Sequence, residues 1–335
     1  MLKGHRTWVF DHKPVILSTG TVGGPFEAKG ALAEDFDLLH EDTWLLQDSY
    51  EKAQRVLLEE ASKKAIEKAS LQKEQIKFFF GGDLINQITP TSFAMRTLGI
   101  PYFGLFGACS TSMEGLALAA YIVDTKGADY ILTGASSHNS AAEKQFRYPT
   151  EYGGQKPPTA QWTVTGAGAA VIGQSGKGPK VTSATIGRVI DMGLTDPFNM
   201  GGAMAPAAVD TIESHLNERQ IDPSYYDYIV TGDLGTIGQD VSLALFEKHG
   251  IPISKEQFKD CGLMIYRQGQ PVLAGASGPG CSATVVYGHL LNAMKRGEFK
   301  RMLVVATGAL LSPLSFQQNE TIPCIAHAVS IEMDG

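Results

Sequence analysis

The chain is poor in cysteine, in charge and in long apolar runs, and each shortage excludes something. Four cysteines stand in 335 residues, Cys109, Cys261, Cys281 and Cys324, with no CxxC pair and no Cys/His ligand spacing. That pattern argues against a structural zinc site, and a reducing compartment suits isolated thiols better than a disulfide framework does. Basic residues are outnumbered, 28 Lys and Arg against 35 Asp and Glu, for a formal net charge of −7. A nucleic-acid binder needs a basic face to neutralise phosphates, so no nucleic-acid partner is expected. Docking to anionic lipid by charge is disfavoured for the same reason. The uncharged stretches 97–113, 268–288 and 302–319 are cut by Gly, Pro and Ser. None offers the roughly 20 continuous apolar residues of a membrane-spanning helix. Residues 1–13 are polar and of mixed charge without an apolar stretch, so no signal peptide is expected. What remains, 43% hydrophobic and 19% charged residues spread along the chain, is the composition of a globular protein with a sizeable core.

The second half of the chain echoes the first. FFFGGDL at 78–84 and YIVTGDL at 228–234 are β-rich runs ending in Gly-Asp-Leu. GACS at 107–110 and PGCS at 279–282 each open an apolar helical stretch. YILTGAS at 130–136 and MLVVATGAL at 302–310 carry Thr-Gly-Ala, and GAGAAVIG at 166–173 and AHAVSIE at 326–332 read as closing strands. Four landmarks recur in one order, offset by 150 to 174 residues, which predicts two homologous α/β halves, 1–178 and 179–335.

The remaining elements follow from periodicity. Val15–Ser18 is a strand candidate. Ser49–Ala69 places Ala53, Val56, Leu57, Ala61 and Ala65 on one stripe, which predicts an amphipathic helix. Ser112–Lys126 is alanine-rich and nearly uncharged, as a helix buried between sheets would be, and Met204–Arg219 predicts another helix ahead of the second Gly-Asp-Leu strand. Residues 139–162, rich in Tyr, Pro and Gly, read as a long loop of the first half, of a length that is usually functional. Cys109 falls where Tyr102–Phe106 turns through Gly107-Ala108 into the apolar helix. A thiol at a helix N-terminus feels the positive end of the dipole, which favours thiolate, beside N–H groups able to serve as an oxyanion hole.

At these residues the chain resembles the thiolase superfamily, which includes the β-ketoacyl synthases. FGACS at 106–110 before an alanine-rich helix and TVTGAGAAVIG at 163–173 carry the likeness, and the latter is similar to the closing strand of ketosynthase III enzymes. The resemblance implies duplicated βαβαβαββ halves in a five-layer α-β-α-β-α fold. FGACSTSMEG (106–115), SSHNSAAEKQFRYPTEYGGQKP (136–157), AMAPAA (203–208), CGLMIY (261–266), VVATGALLSP (304–313) and IPCIAHAV (322–329) more narrowly resemble the stage V sporulation protein AD family of spore-forming bacteria.

Condensing enzymes of this superfamily pair their cysteine with His–Asn or His–His partners from the second half, which polarise a thioester and move protons. The matching positions here are Gly232-Asp233-Leu234 and the turn Ala276–Cys281, which hold no imidazole and no asparagine; His289 lies two turns into the following helix. The nucleophile is kept without its partners, so Cys109 is expected to be vestigial as a catalyst. The alternative is an acyl-CoA or acyl-carrier condensing enzyme or acyltransferase using Cys109.

The family resemblance instead implies binding of dipicolinic acid, pyridine-2,6-dicarboxylate, by the soluble component of a membrane channel complex that moves it during sporulation and germination. It implies no cofactor, although calcium can accompany the ligand. It also implies membrane subunits as partners, a homodimer by analogy with the fold, and a place in the forespore cytoplasm against the spore inner membrane. The candidate ligand-binding residues are Asp83, Asn86, Cys109, Ser136, His138, Arg147, Tyr152, Asp233, Ser277 and Cys281. Asp83 and Asp233 end the paired strands, where α/β folds bind ligands, although turn carboxylates equally cap nearby N–H groups. Ser136 to Asn139 form a polar cluster at a strand end, and Arg147, Tyr148 and Tyr152 offer a carboxylate fork and flat faces in the adjoining loop. Cys324 is read as core packing.

Overall fold

The computed structural model describes residues 1–146 and 156–333. Ten strands make two strings of five. In the first half they are β1 (Val15–Gly23), β2 (Phe78–Gly82), β3 (Tyr102–Gly104), β4 (Tyr130–Ser137) and β5 (Gly166–Gly173). In the second they are β6 (Lys180–Thr185), β7 (Tyr228–Thr231), β8 (Phe258–Asp260), β9 (Arg301–Ala309) and β10 (Cys324–Glu332). The spatial order is β3-β2-β4-β5-β1 in one half and β8-β7-β9-β10-β6 in the other, the same order twice. In both, the first three strands of that order run parallel and the fourth is antiparallel to its neighbours. The two strings touch edge to edge at Val15 and Lys180.

Helices fill three further layers. Helix α1 (Tyr50–Lys68) and α2 (Thr89–Leu98) cover the outer face of the first sheet. Ser49, the residue before α1, accepts from the Lys52 amide at 3.3 Å and so fixes where the helix begins. Helix α3 (Thr111–Asp124) lies between the sheets beside α7 (Pro279–Thr284), while α5 (Met200–Arg219) and α6 (Gly235–His249) cover the outer face of the second sheet. This is the five-layer α-β-α-β-α arrangement. The alanine content of α3 has a steric cause: Ala117, Ala119 and Ala120 are fully buried, and a Cβ on Gly115 would lie 2.4 Å from the Thr133 hydroxyl. Where the two central helices start, the Ser112 and Ser282 hydroxyls meet at 2.6 Å.

Two sequence expectations need correction. Helix α5 begins at Met200 rather than Met204, because the Asn199 side chain caps it at Gly202 N–H. Gly201 and Gly202 belong to its first turn, and a Cβ on Gly201 would meet Leu234 O of the packed neighbour at 2.1 Å. The span 139–162 is not one loop. It starts with α4 (Asn139–Phe146), and Trp162–Thr163 pairs in parallel with Ala276–Ser277. Among the described residues, no helix is long and apolar enough to cross a membrane.

Candidate functional site

Cys109 sits on a strained turn. Strand β3 ends at Gly104, Leu105 N–H bonds to Gly81 O at 2.9 Å, and Ala108 adopts a left-handed conformation with φ +51°. A non-glycine residue in that region is held there by its surroundings. The Ser110 and Thr111 hydroxyls donate to Gly107 O and Ala108 O at 2.6 and 2.7 Å, and Gly308 of β9 lies against the turn. A Cβ on Gly308 would meet Gly107 O at 2.3 Å, so β9 approaches only because that residue is glycine.

Asp233, which follows β7, is buried, and its charge reaches the Cys109 thiol. Three donors converge on this carboxylate. Gly278 N–H (2.9 Å) and Ser277 Oγ (3.2 Å) bond to Oδ2, and Thr307 Oγ1 (2.9 Å) bonds to Oδ1. Gln161 Nε2 ties the same turn together by donating to Asp233 O and Ala276 O, both at 2.8 Å. Asp260, at the end of β8, accepts from Thr231 Oγ1, Leu234 N–H and Gly235 N–H at 2.7 to 3.0 Å and so fixes the strand end that presents Asp233. Burial raises the Asp233 carboxyl to about 6, against the pull of its donors.

The thiolate expected from the helix dipole is therefore overturned. Burial first, and then the Asp233 charge, push the Cys109 thiol well above its ordinary value. Dipole stabilisation of about 0.3 to 1 kcal/mol does not compete with desolvation and an adjacent carboxylate. Cys109 is 5% exposed, and two surface cavities of about 460 and 630 Å³ are lined by other residues, among them Lys255 and Leu263 in one and Lys63 and Leu98 in the other.

The other candidates fall into separate groups. Cys109, Asp233 and Ser277 come together, with Cys281 buried beside them, its thiol turned to Gly232 O at 3.4 Å. Ser136 accepts from Gln54 Nε2 at 3.2 Å under α1. His138 is buried, its Nε2 at 2.9 Å from Thr43 O, its ring 5.2 Å from that of Tyr50 and its Nδ1 without a partner; burial lowers its pKa. Asp83 accepts from Ile85 N–H (2.8 Å), Thr91 N–H (2.9 Å) and Thr91 Oγ1 (2.5 Å), so it caps the first turn of α2. Asn86 N–H bonds to Gln145 Oε1 at 2.7 Å, which docks α4 on that turn. Arg147, Tyr148 and Tyr152 lie outside the described residues.

The imidazoles among the described residues of the second half bond to other groups. His289 Nδ1 is 2.7 Å from Asp35, His215 is held between Thr185 and Tyr226, and His327 Nδ1 accepts from Gly187 N–H. Cys324 is fully buried, as core packing requires. Sequence reasoning missed Thr307 and Gln161. Thr307 was visible as a repeat landmark, Thr-Gly-Ala, but its hydroxyl role appears only once β7 and β9 are neighbours.

Comparison with known proteins places this geometry. The chain is similar over 95% of its length, and 99% of the other's, to 3-oxoacyl-[acyl-carrier-protein] synthase III from Aquifex aeolicus VF5, with a TM-score of 0.59 and 14% identity. It is similar over 99% of its length, and all of the other's, to a single-residue variant of Xanthomonas campestris OleA, with a TM-score of 0.64 and 15% identity. At such identities the likeness shows the thiolase-like fold alone. The "Stage V sporulation protein AD" of Bacillus subtilis (strain 168) is 48% identical over 334 residues, all of this chain and 98% of that protein. The family model for stage V sporulation protein AD matches residues 4–332, and the chain belongs to that family.

Proposed function

We propose that the chain binds dipicolinic acid without transforming it, as the soluble subunit of a spore membrane complex that moves this ligand during sporulation and germination. The ligand and the complex come from the family to which the chain belongs. The absence of catalysis is supported by one observation: Cys109 is buried, and that burial together with the charge of the buried Asp233 pushes its thiol well above its ordinary value. A condensing enzyme needs a thiolate and an imidazole or amide donor to polarise the thioester, and a buried carboxylate opposes both. In this reading the cysteine turn, Ser277 and the surrounding N–H groups are a recognition surface. Calcium brought by the ligand offsets its two carboxylates beside Asp233. Strand β3 is an edge strand with Tyr102 and Phe103 exposed, and Phe106 just beyond it is exposed as well, which supports a homodimer in which a second copy covers that edge. The protein then works in the forespore against the inner membrane, held there by membrane subunits.

Calorimetric titration of dipicolinate, with and without calcium, into the wild type and Cys109→Ala tests the reading. Saturable binding that weakens in the variant is expected, with no acyl transfer from acyl-CoA by either protein. Absence of heat in every arm refutes direct binding by the isolated chain. The burial of Cys109 favours a second reading in that case, a structural subunit whose pocket is vestigial.

A further inference from the structure

We infer that the surface formed by residues 188–196 and 312–320 docks the cytoplasmic juxtamembrane segment of a membrane-spanning partner, a stretch of apolar residues flanked by Lys and Arg. This rests on the proposal that the chain works beside membrane subunits, and it names the surface and the chemistry of that contact. Three observations carry it. First, large apolar side chains collect here. Val189 (54% exposed), Met192 (66%), Leu314 (64%) and Phe316 (50%) are four of the five large apolar residues that the second half exposes among the described residues. Single exposed apolar residues are ordinary on a protein surface, whereas a cluster marks an interaction site. Second, the two segments are joined. Ile190 and Cys324 exchange backbone bonds of 2.8 Å each, Ile322 N–H bonds to Leu194 O at 2.8 Å, and Thr321 Oγ1 donates to Asp191. Beneath them Ile190, Leu194 and Leu311 pack on the core of the second half, so the four exposed side chains are an outer layer that the core does not need. The short helix α8 (Pro313–Gln317) is fixed by a capping box, in which Ser312 Oγ accepts from Ser315 N–H at 3.0 Å and Ser315 Oγ from Ser312 N–H at 3.1 Å. Leu314 and Phe316 are thus held ready, with little ordering cost on binding.

Third, the surface carries one sign of charge. Asp191, Asp196 and Glu320 are exposed on it, and the chain has no Lys or Arg from 189 to 218 or from 302 to 335. Arg188, the cation at its margin, is held on Asp210 at 2.7 Å. An apolar surface edged by carboxylates repels a bare anionic bilayer. A second copy meeting it face to face would bring the same carboxylates, which disfavours self-association here. The complement is a segment whose apolar residues stand between lysines and arginines. Cytoplasmic flanks of membrane spans have that composition, because Lys and Arg are concentrated there. Covering the exposed parts of one Leu and one Phe side chain strengthens such a contact by about tenfold or more.

The test is site-specific photo-crosslinking in sporulating cells whose only copy of the chain carries p-benzoylphenylalanine in place of Phe316, or in place of Phe93 on α2 as a control, with the linked peptides mapped by mass spectrometry. The expected crosslinks from 316 fall in a membrane-spanning protein, within about 20 residues of the end of a span and in a peptide carrying Lys or Arg. Crosslinks to lipid, to a second copy of this chain or to a segment without basic residues overturn the inference, as do no crosslinks or the same crosslinks from both positions. Recovery of the chain in the membrane fraction is the second readout. Leu314→Ser combined with Phe316→Ser should lower it at least about tenfold, and Glu320→Lys, at an exposed position, should lower it too, both with the melting midpoint of the wild type. Variants retained as well as the wild type overturn the inference and leave the membrane-complex reading standing. A wild type absent from the membrane fraction sinks both. Flotation of the purified chain on vesicles of phosphatidylglycerol and phosphatidylcholine would also overturn it, since lipid alone would then be the occupant.

Discussion

Substituting Glu27 by Gln should change how the stability of the whole fold depends on pH. Glu27 lies in a short turn of the first half and is completely buried. Its Oε1 accepts from Thr165 N–H at 3.1 Å and from Tyr266 Oη of the second half at 2.5 Å, while Oε2 has no partner. Burial dominates these two bonds and raises the carboxyl from 4.5 to about 7. A carboxyl whose folded pKa lies above its unfolded value binds more protons when folded. Its favourable contribution is therefore complete below pH 4.5 and is lost as pH rises through 7. The difference corresponds to about 3 kcal/mol at 1.36 kcal/mol per pKa unit. For a chain of this length that is a shift of about 4 °C in melting midpoint. Glu27→Gln removes the titration and keeps the acceptor for Tyr266 and Thr165. Its Nε2 inherits the unpartnered position, so the variant carries a constant offset; the informative quantity is the slope. Midpoints measured at one scan rate from pH 5 to pH 8.5 should show the variant gaining about 4 °C on the wild type over that range. Parallel profiles would refute the account of Glu27 as a buried, uncompensated carboxyl at the seam of the halves.

Two further substitutions test the edge strand and the cap of α2. In the homodimer proposed above, Phe103→Asp on the exposed edge strand should leave monomers in sedimentation equilibrium, since Phe103 is 54% exposed in the chain; a dimer mass kept by the variant would exclude that edge as the contact. Asp83→Ala removes the acceptor of two backbone amides and the Thr91 hydroxyl, which should lower stability by about 2 kcal/mol in urea titration. Unchanged stability with loss of dipicolinate binding would instead make Asp83 a ligand group.

What the sequence reveals and what it hides divide along physical lines. Helix α1 is legible because its apolar stripe has helical period and Ser49 marks its start. β5 is legible because eight small and branched residues run uninterrupted from Gly166 to Gly173. Both signals are local. Helix α4 is hidden because NSAAEKQF spans only about two turns and is stabilised by long-range contacts. Gln145 reaches Leu84 O and Asn86 N–H, and Lys144 reaches Glu51, none of which is visible from the segment itself. The start of α5 is hidden by Gly201 and Gly202, whose propensity argues against helix, although the missing side chain of Gly201 is what admits α6. The site is half legible. Cys109 announces itself by its junction, while its environment depends on residues far away in the chain, Asp233, Ser277 and Thr307, brought together by strand order. Position on a helix predicts a lowered thiol pKa; desolvation and a neighbouring carboxylate decide it the other way.

The two Gly-Asp-Leu motifs show how a duplicated scaffold acquires one asymmetric site. In each half a strand ends at this motif, and the helix that follows leaves first-turn amides to be satisfied. In the first half Asp83 does this itself, accepting from Thr91 N–H of α2. In the second half the amides of Leu234 and Gly235, where α6 starts, go to Asp260, an aspartate on the neighbouring strand end. Once Asp260 takes the capping role, Asp233 is released to turn inward, where Gly278 and Thr307 bond to it. The same tripeptide is a helix cap in one half and supplies a buried charge that reaches the cysteine in the other, and the residue that separates the two outcomes is Asp260. Asp83 and Asp233 therefore occupy matching places in the two halves with different partners, three donors of its own turn and helix for Asp83 and three donors from the strands and turn around Cys109 for Asp233.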